Sequence, residues 1–517
     1  MNLTDAISAA QALRDSRATG DPEMVARAAM GNIWPLYNNH FDELTTAVES
    51  LPVPVLHRYP VLRILHRMTP VLARTAAPFK PLIYPDDARN MSSDELDILT
   101  MVQMIAFRLS GDVAAAMIYA RRLQERIMSE HGEARDRVDG PLWFYHHQIG
   151  STFLAAGDSS AALREFGTAY DLGVISRQPD AERMILGRMA LAHAVRGSVD
   201  DAERALRTID ALPAPSAAHR VSTNATERTS RALVSIERMA SDSDQLLGQL
   251  ETYDSFELTW PFALLARTRR LLAAHHTDEA LEAVQLARDA HLDQHGAFAS
   301  DVINATSIEA MWSAGDRSAA RRVVASATRS GYLTQLAIIR LDLLDAQLDD
   351  ATRGLRELAR DRSLGPGPRA ESGLLSAWLE YLLTDTLSEE TALQVARIAE
   401  RPSMRRLLSS MPTQLIRKVQ QQLPSFEAAA FDAATAGLGS VNHLRPPALT
   451  PSELRVLKAL PQHKTTAEIA AALFVSPNTI KSQLKSLYRK LHCSNREEAI
   501  AAAIRYHLLP DGAAQGR

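Results

Sequence analysis

Four times in this chain a glycine followed by Asp or Ser is succeeded by small or apolar residues five, nine and twelve positions later. The copies are Gly111-Asp112 with Ala116, Ala120 and Leu123; Gly157-Asp158 with Ala162, Phe166 and Ala169; Gly197-Ser198 with Ala202, Leu206 and Ile209; and Gly315-Asp316 with Ala320, Val324 and Ala327. A degenerate fifth copy has His275 in the glycine place, followed by Ala280, Val284 and Ala287. A glycine can end a helix in the left-handed conformation, and a small residue early in the next helix lets the two cross closely. Each copy therefore predicts a helical hairpin. One hairpin cannot bury its apolar face alone, so a series of them must stack. Ala, Leu, Arg and Glu dominate the first 440 residues and alternating β-branched runs are missing, which makes the expected fold class all-α.

Within this region the segment 147–173 resembles a tetratricopeptide repeat, with Ile149, Gly150, Phe153, Ala162, Phe166 and Ala169 at that repeat's characteristic offsets. The other copies match in their second halves, and their glycine-to-glycine steps of 46, 40 and 118 residues depart from the repeat's period of about 34. The resemblance implies an irregular tetratricopeptide-like solenoid over residues 1–436, with another α-helical bundle as the alternative. The concave face of such an array suits an extended peptide or helix, so a peptide or protein partner is expected there. The breaker-rich stretches 212–216 and 364–368 are expected as loops between hairpins. Residues 437–447, with two glycines and two prolines, are expected as an interdomain linker before a domain at 448–510 and a tail at 511–517.

A length of 517 residues exceeds one ordinary hydrophobic core, in keeping with a repeat array plus a further domain. The net charge of −4 is unevenly placed: residues 448–510 hold nine Lys and Arg against four Glu, a net of +5, leaving −9 for residues 1–447. Five of the seven lysines lie in that stretch, as Lys458, Lys464, Lys481, Lys485 and Lys490. A small basic end on an acidic body fits a polyanion partner for that end alone. No apolar run reaches the roughly 20 residues of a membrane span, and the first residues lack a basic start before an apolar stretch, so a cytoplasmic protein is expected. Cys493 is the sole cysteine, which excludes an intrachain disulfide and a cysteine-based zinc cluster. No Gly-Lys dipeptide occurs, which excludes a Walker loop, and the helical start does not suit a phosphoacceptor receiver domain. The pairs His146-His147 and His275-His276 lack metal-ligand spacing and are expected to be exposed or in turns. No catalytic constellation is visible; the chain is expected to be no enzyme and to need no cofactor or metal.

Four helix starts can be placed in the basic region. Thr450 precedes Pro451 and stands three residues before Glu453, a capping box with proline at the first helical position. Thr465 with Glu468 and Ser494 with Glu497 repeat the box, and Ser476-Pro477 starts the third helix. Only Phe474, Val475 and Ser476 separate the second and third helices, as in a helix-turn-helix. In the third, Ile480, Leu484, Leu487 and Leu491 form a narrow apolar stripe, while Asn478, Lys481, Ser482, Lys485 and Arg489 gather opposite. A surface helix would ordinarily mix Glu with Lys for pairs four residues apart; this one carries no acid. Its basic, hydrogen-bonding face is shaped for the DNA major groove.

Residues 449–509 resemble the C-terminal domain of LuxR-type transcription regulators (the FixJ or NarL class). The match is carried by Leu449, Thr450, Glu453, Val456, Leu457, Glu468, Ile469, Ala470, Leu473, Ser476, Thr479, Ile480, Lys481, Leu484, Tyr488, Lys490, Leu491, Arg496 and Ala499. The resemblance implies base contacts from Lys481, Ser482 and Lys485, and phosphate contacts from Ser476, Thr479, Arg489 and Lys490. It also implies a homodimer on double-stranded DNA through the fourth helix, at 495–506. His463 and His492 stand where that family commonly has glycine, and each is expected to take a left-handed conformation at a cost of roughly 1 kcal/mol. The leading expectation is a sequence-specific DNA-binding transcription regulator whose helical array serves as sensor or protein-interaction region. The alternative is a helical-repeat adaptor that the DNA-binding domain merely tethers to a nucleoprotein complex. A sigma-type promoter-recognition domain uses a similar motif but would travel with an aromatic-rich core-binding domain, which this chain lacks.

Overall fold

The structure is a computed structural model that describes residues 3–63, 65–66, 91–132, 135–136, 140–176, 178, 180–250, 259–291, 296–327, 331–438, 449–463, 465–491, 493, 495–505 and 508–509. Every regular element among the described residues is helical, as the composition predicts. At the N-terminus α1 (Leu3–Ala18), α2 (Pro22–Gly31), α3 (Ile33–Asn39), α4 (Phe41–Glu49) and α5 (Val53–Arg58) enclose a cluster of their own around Leu13, Leu36 and Leu44. Trp34 joins it to the rest of the molecule, edge-on to Phe144 at 5.9 Å between ring centroids.

Antiparallel hairpins follow: α6 (Ser93–Leu109) with α7 (Val113–Ser129), α8 (Leu142–Ala155) with α9 (Ser159–Ser176), and α10 (Ala181–Val195) with α11 (Val199–Asp210). Next come α12 (Ala217–Glu237) with the short α13 (Ser243–Leu247), α14 (Trp260–Ala273) with α15 (Thr277–Ala290), and α16 (Ala297–Ser313) with α17 (Arg317–Ser326). The series ends with α18 (Tyr332–Leu344) and α19 (Leu348–Arg360), then α20 (Pro366–Thr384) and α21 (Glu389–Ala399). Three shorter helices, α22 (Arg405–Ser409), α23 (Thr413–Gln422) and α24 (Ser425–Thr435), cap it. Successive first helices of the hairpins pack on one another, α8 on α10, α10 on α12, α12 on α14, and onward to α20.

The turn chemistry explains the recurring dipeptide. Gly111, Gly157, Gly197 and Gly315 all take φ between +81° and +90°. In the second, third and fourth copies the residue after the glycine closes the first helix with a 6→1 bond: the Asp158 N–H donates to the Phe153 carbonyl at 3.0 Å, the Ser198 N–H to His193 at 2.9 Å and the Asp316 N–H to Met311 at 2.9 Å. In the Gly-Asp copies the aspartate opens the second helix, its carboxylate accepting from Ala115, Ala161 or Ala319 N–H at 2.8–3.0 Å. Gly-Asp thus ends one helix and caps the next within two residues. His275, in the glycine place of the degenerate copy, is left-handed as well, at φ 63°. Its followers Ala280, Val284 and Ala287 are buried, as are those of the first three copies; in the fourth Ala320 is buried while Val324 and Ala327 are half-exposed.

The structure adds hairpins that the glycine pattern does not reveal. Met239, Ala346 and Asp385 are also left-handed, at φ 53°, 57° and 56°. Met239 and His275 fall inside the 118-residue interval between Gly197 and Gly315. Ala346 is followed at the same offsets of five, nine and twelve by buried Ala351, Leu355 and Leu358; alanine in the glycine place concealed the copy.

Two expectations are corrected. The stretch 364–368 is a loop only up to Gly365, because Pro366 stands at the first position of α20, where a missing N–H removes no helical bond. His146 and His147 lie mid-helix in α8 rather than in a turn: His147 is buried, and His146 Nδ1 is 2.7 Å from Glu165. Apolar packing on both sides of α8 overrides the ordinary exposure of histidine. The stack also curls back on itself. The Gly367 N–H donates to the Arg196 carbonyl at 3.0 Å, and Ser160 Oγ donates to the Ser363 carbonyl at 2.9 Å. A Cβ on Gly197 would stand 2.4 Å from Gly367 Cα, so this contact requires the two glycines to face each other. Of the expected linker, 437–447, only Gly437 and Leu438 are among the described residues. No described helix is long and apolar enough to cross a membrane.

Candidate nucleic-acid interface

The basic region contains α25 (Pro451–Ala459), α26 (Thr466–Ala472), α27 (Pro477–Lys490) and α28 (Arg496–Arg505). They enclose a separate core of Val456, Leu457, Ile469, Ile480, Leu487 and Ala499, among others. The stripe predicted for α27 is the side that faces this core: Ile480, Leu484, Leu487 and Leu491 are all buried. At about 1.5–3 kcal/mol for each fully buried aliphatic side chain, that stripe supplies the force that holds the helix in place. Its opposite face is consequently left to solvent, with Asn478, Lys481, Ser482, Lys485 and Arg489 exposed.

The caps work largely as the sequence predicts. Thr450 and Glu453 form the full reciprocal box, and Thr465 Oγ1 accepts from the Glu468 N–H at 3.2 Å. Ser476 Oγ accepts from the Thr479 N–H at 3.1 Å and lies 2.8 Å from the Thr479 hydroxyl. Both hydroxyls are exposed at the start of α27, where free N–H groups and the helix dipole favour an anion. The box expected from Ser494 with Glu497 falls on a residue outside the described ones; beside it, Asn495 Oδ1 accepts from the Glu498 N–H at 2.8 Å. His463 does not take the expected left-handed conformation; among the described residues of this domain the left-handed one is Phe474, at φ 56° in the turn between α26 and α27 and 95% exposed. Arg496 reaches the Leu460 and His463 carbonyls, satisfying the end of α25 without a glycine there. His492 lies outside the described residues.

One expected phosphate ligand is engaged elsewhere. Lys490 Nζ donates to Glu453 Oε2 at 2.7 Å, and its side chain is 28% exposed. Glu453, 5% exposed, also accepts the Thr450 N–H at 2.7 Å and the Ser486 hydroxyl at 2.8 Å. Burial by itself would raise its carboxyl, but Lys490, the Thr450 N–H and the Ser486 hydroxyl outweigh it and hold the group down at about 2. Glu453 thus ties the first helix to the far end of the third across 37 residues of chain. Ser486 and the Glu453–Lys490 pair escape sequence reasoning because no local spacing relates them. The face that remains open therefore carries Lys481, Ser482 and Lys485 together, with Ser476 and Thr479 at one end and Arg489 at the other. No group of carboxylates, histidines or cysteines able to hold a metal occurs among the described residues.

Residues 447–503 match the family model described as bacterial regulatory proteins, luxR family. The chain is 40% identical over 63 residues to the "Probable transcriptional regulatory protein NarL" of Mycobacterium tuberculosis, 12% of this chain and 29% of that protein. It is 40% identical over 60 residues to the "Uncharacterized transcriptional regulatory protein YhcZ" of Bacillus subtilis, 28% of whose length is covered. It is 37% identical over 59 residues to the "Spore germination protein GerE" of Bacillus subtilis, 11% of this chain and 80% of that protein. The chain therefore spans less than a third of the NarL and YhcZ relatives but most of GerE. No solved structure matches. By this C-terminal domain, the chain belongs to the luxR family of bacterial regulatory proteins.

Proposed function

We propose that the protein is a sequence-specific DNA-binding transcription regulator that works in the cytoplasm without enzymatic activity. The observation that carries this reading is the exposed face of α27, where Lys481, Lys485 and Arg489 stand with no acid beside them on the helix. Lys481, Ser482 and Lys485 read base edges, since lysine donates to guanine O6 and N7 and a hydroxyl suits either partner type. Ser476, Thr479 and Arg489 hold phosphates and so fix the register of the helix. Lys490 has a positioning part instead, through Glu453. A homodimer on DNA through α28 and a tetratricopeptide-like array acting as sensor or protein-interaction region complete the proposal. The consecutive packing of hairpins supports the latter.

Titrating residues 445–517 with duplex DNA at increasing salt tests the reading. The three cations on the open face of α27, Lys481, Lys485 and Arg489, give a slope of log K against log salt of about −3 per subunit. A slope near zero refutes groove and phosphate binding together. Full regulation by a Lys481→Ala/Lys485→Ala double variant would make the domain a tether rather than a reader.

A further inference from the structure

Among the described residues Phe474 is the most exposed large apolar side chain, 95% open to solvent. The turn that carries it is well defined. At φ 56° between α26 and α27, its own N–H donates to the Ala471 carbonyl at 3.4 Å, and the Val475 N–H donates to Ala470 at 3.0 Å. These bonds close α26 through a left-handed residue, a conformation that glycine or asparagine adopts more readily than phenylalanine. Met239 and Ala346 share it, so backbone strain does not single Phe474 out. Its exposure does. The ring takes no part in the core of the domain, to which the neighbouring helices contribute Ile469, Ala470 and Ile480. The fold thus holds an aromatic ring out in water and draws no packing from it.

The ring stands beside the DNA-facing end of α27. Ser476 follows two residues later, a span of at most about 7 Å of chain, and it is exposed together with Thr479, whose hydroxyl it meets. In a helix-turn-helix the first residues of the recognition helix meet the base edges. A duplex seated on Lys481, Ser482 and Lys485 therefore runs its sugar-phosphate wall past the turn that leads into α27. Phosphate is no partner for a phenyl ring, which has neither charge nor donor. Deoxyribose, the apolar part of the same wall, matches the ring through its carbon-bound hydrogens.

We propose that Phe474 is a contact to the DNA backbone, its ring packed on a deoxyribose next to the phosphate held by Ser476 and Thr479. The inference rests on the DNA-binding reading and adds to it a contact of a different kind. Lysine and arginine displace counterions, so their share of the affinity falls as salt rises; a ring on a sugar displaces none. A backbone contact also carries no sequence information, and it fixes how the helix is seated in the groove.

Titrating the full-length protein with two duplexes at several salt concentrations tests the contact, one duplex of random sequence and one selected for tight binding from a random pool. Phe474→Asn keeps a residue at ease in the left-handed turn and removes the ring. It is expected to bind both duplexes about fivefold to tenfold more weakly at every salt concentration, with the parent's salt slope and the parent's helical circular dichroism. Phe474→Tyr keeps the ring and is expected to bind within about twofold of the parent. If Phe474→Asn fails to fold, Phe474→Gly, which suits the same turn, takes its place. A folded ring-less variant that binds DNA like the parent overturns the proposal, and one that also loses regulation assigns the ring to a protein partner instead. A loss confined to one duplex, a changed salt slope, or a Tyr variant as weak as Asn overturns it as well. A parent without salt-dependent binding would mark failure of the DNA-binding reading itself, whereas a parent that binds and an Asn variant that binds equally would sink this contact alone.

Discussion

Replacing Glu453 by Gln isolates a buried charge of the DNA-binding domain, since the amide keeps the shape of the protonated acid. The folded domain holds this carboxyl at about 2 against an ordinary 4.5, and each pKa unit is worth about 1.36 kcal/mol. The gap amounts to about 3 kcal/mol; the partly exposed Lys490 end lowers the expected value to about 2–3 kcal/mol. Because the folded pKa is depressed, this stabilisation is complete above the unfolded value of 4.5 and is lost as pH falls through the folded one. Urea unfolding of residues 445–517, followed by far-UV circular dichroism at several pH values, measures it. Parent and Glu453→Gln should differ by about 2–3 kcal/mol at pH 7, converge between about pH 4.5 and 2, and be nearly equal at the acid end. A difference that stays constant down to pH 2, or one below about 0.5 kcal/mol at neutral pH, would show that the carboxylate's charge is not what joins α25 to α27.

Other perturbations separate the remaining parts. Lys481→Ala or Lys485→Ala should lose about 1–3 kcal/mol of discrimination between operator and mismatched sites, whereas Arg489→Ala should weaken all sequences alike; competition binding reads both. Lys490→Met should lower the unfolding midpoint of the domain while leaving the salt slope of DNA binding unchanged, and a slope reduced by about one unit would return Lys490 to the phosphate contacts. Ala346→Gly should stabilise the full chain by about 0.5–1 kcal/mol in urea, since it relieves a left-handed alanine. Gly197→Ala should destabilise it by more than Gly315→Ala, because a Cβ at 197 meets Gly367 backbone and one at 315 meets nothing within 4 Å. Equal effects would locate the cost in φ alone.

What was legible in the sequence was local. Hairpin turns at glycine, the Thr450–Glu453 box and the apolar stripe of α27 each depend on residues within one or two helical turns, so spacing alone reveals them. The same stripe names the opposite face of α27, and with it Lys481, Ser482 and Lys485. Where the rule was chemical rather than geometric, it failed: Ala346 and Met239 take the left-handed turn without glycine because the packed hairpin on either side holds them there, and a search for glycine passes over both. The long-range pairings were decided by the tertiary structure alone. Lys490 and Glu453 are 37 residues apart, Gly367 and Arg196 further still, and Glu237 meets Arg406 across 169 residues. No periodicity encodes such distances. They arise only when stacked hairpins bring remote side chains together and withdraw them from water.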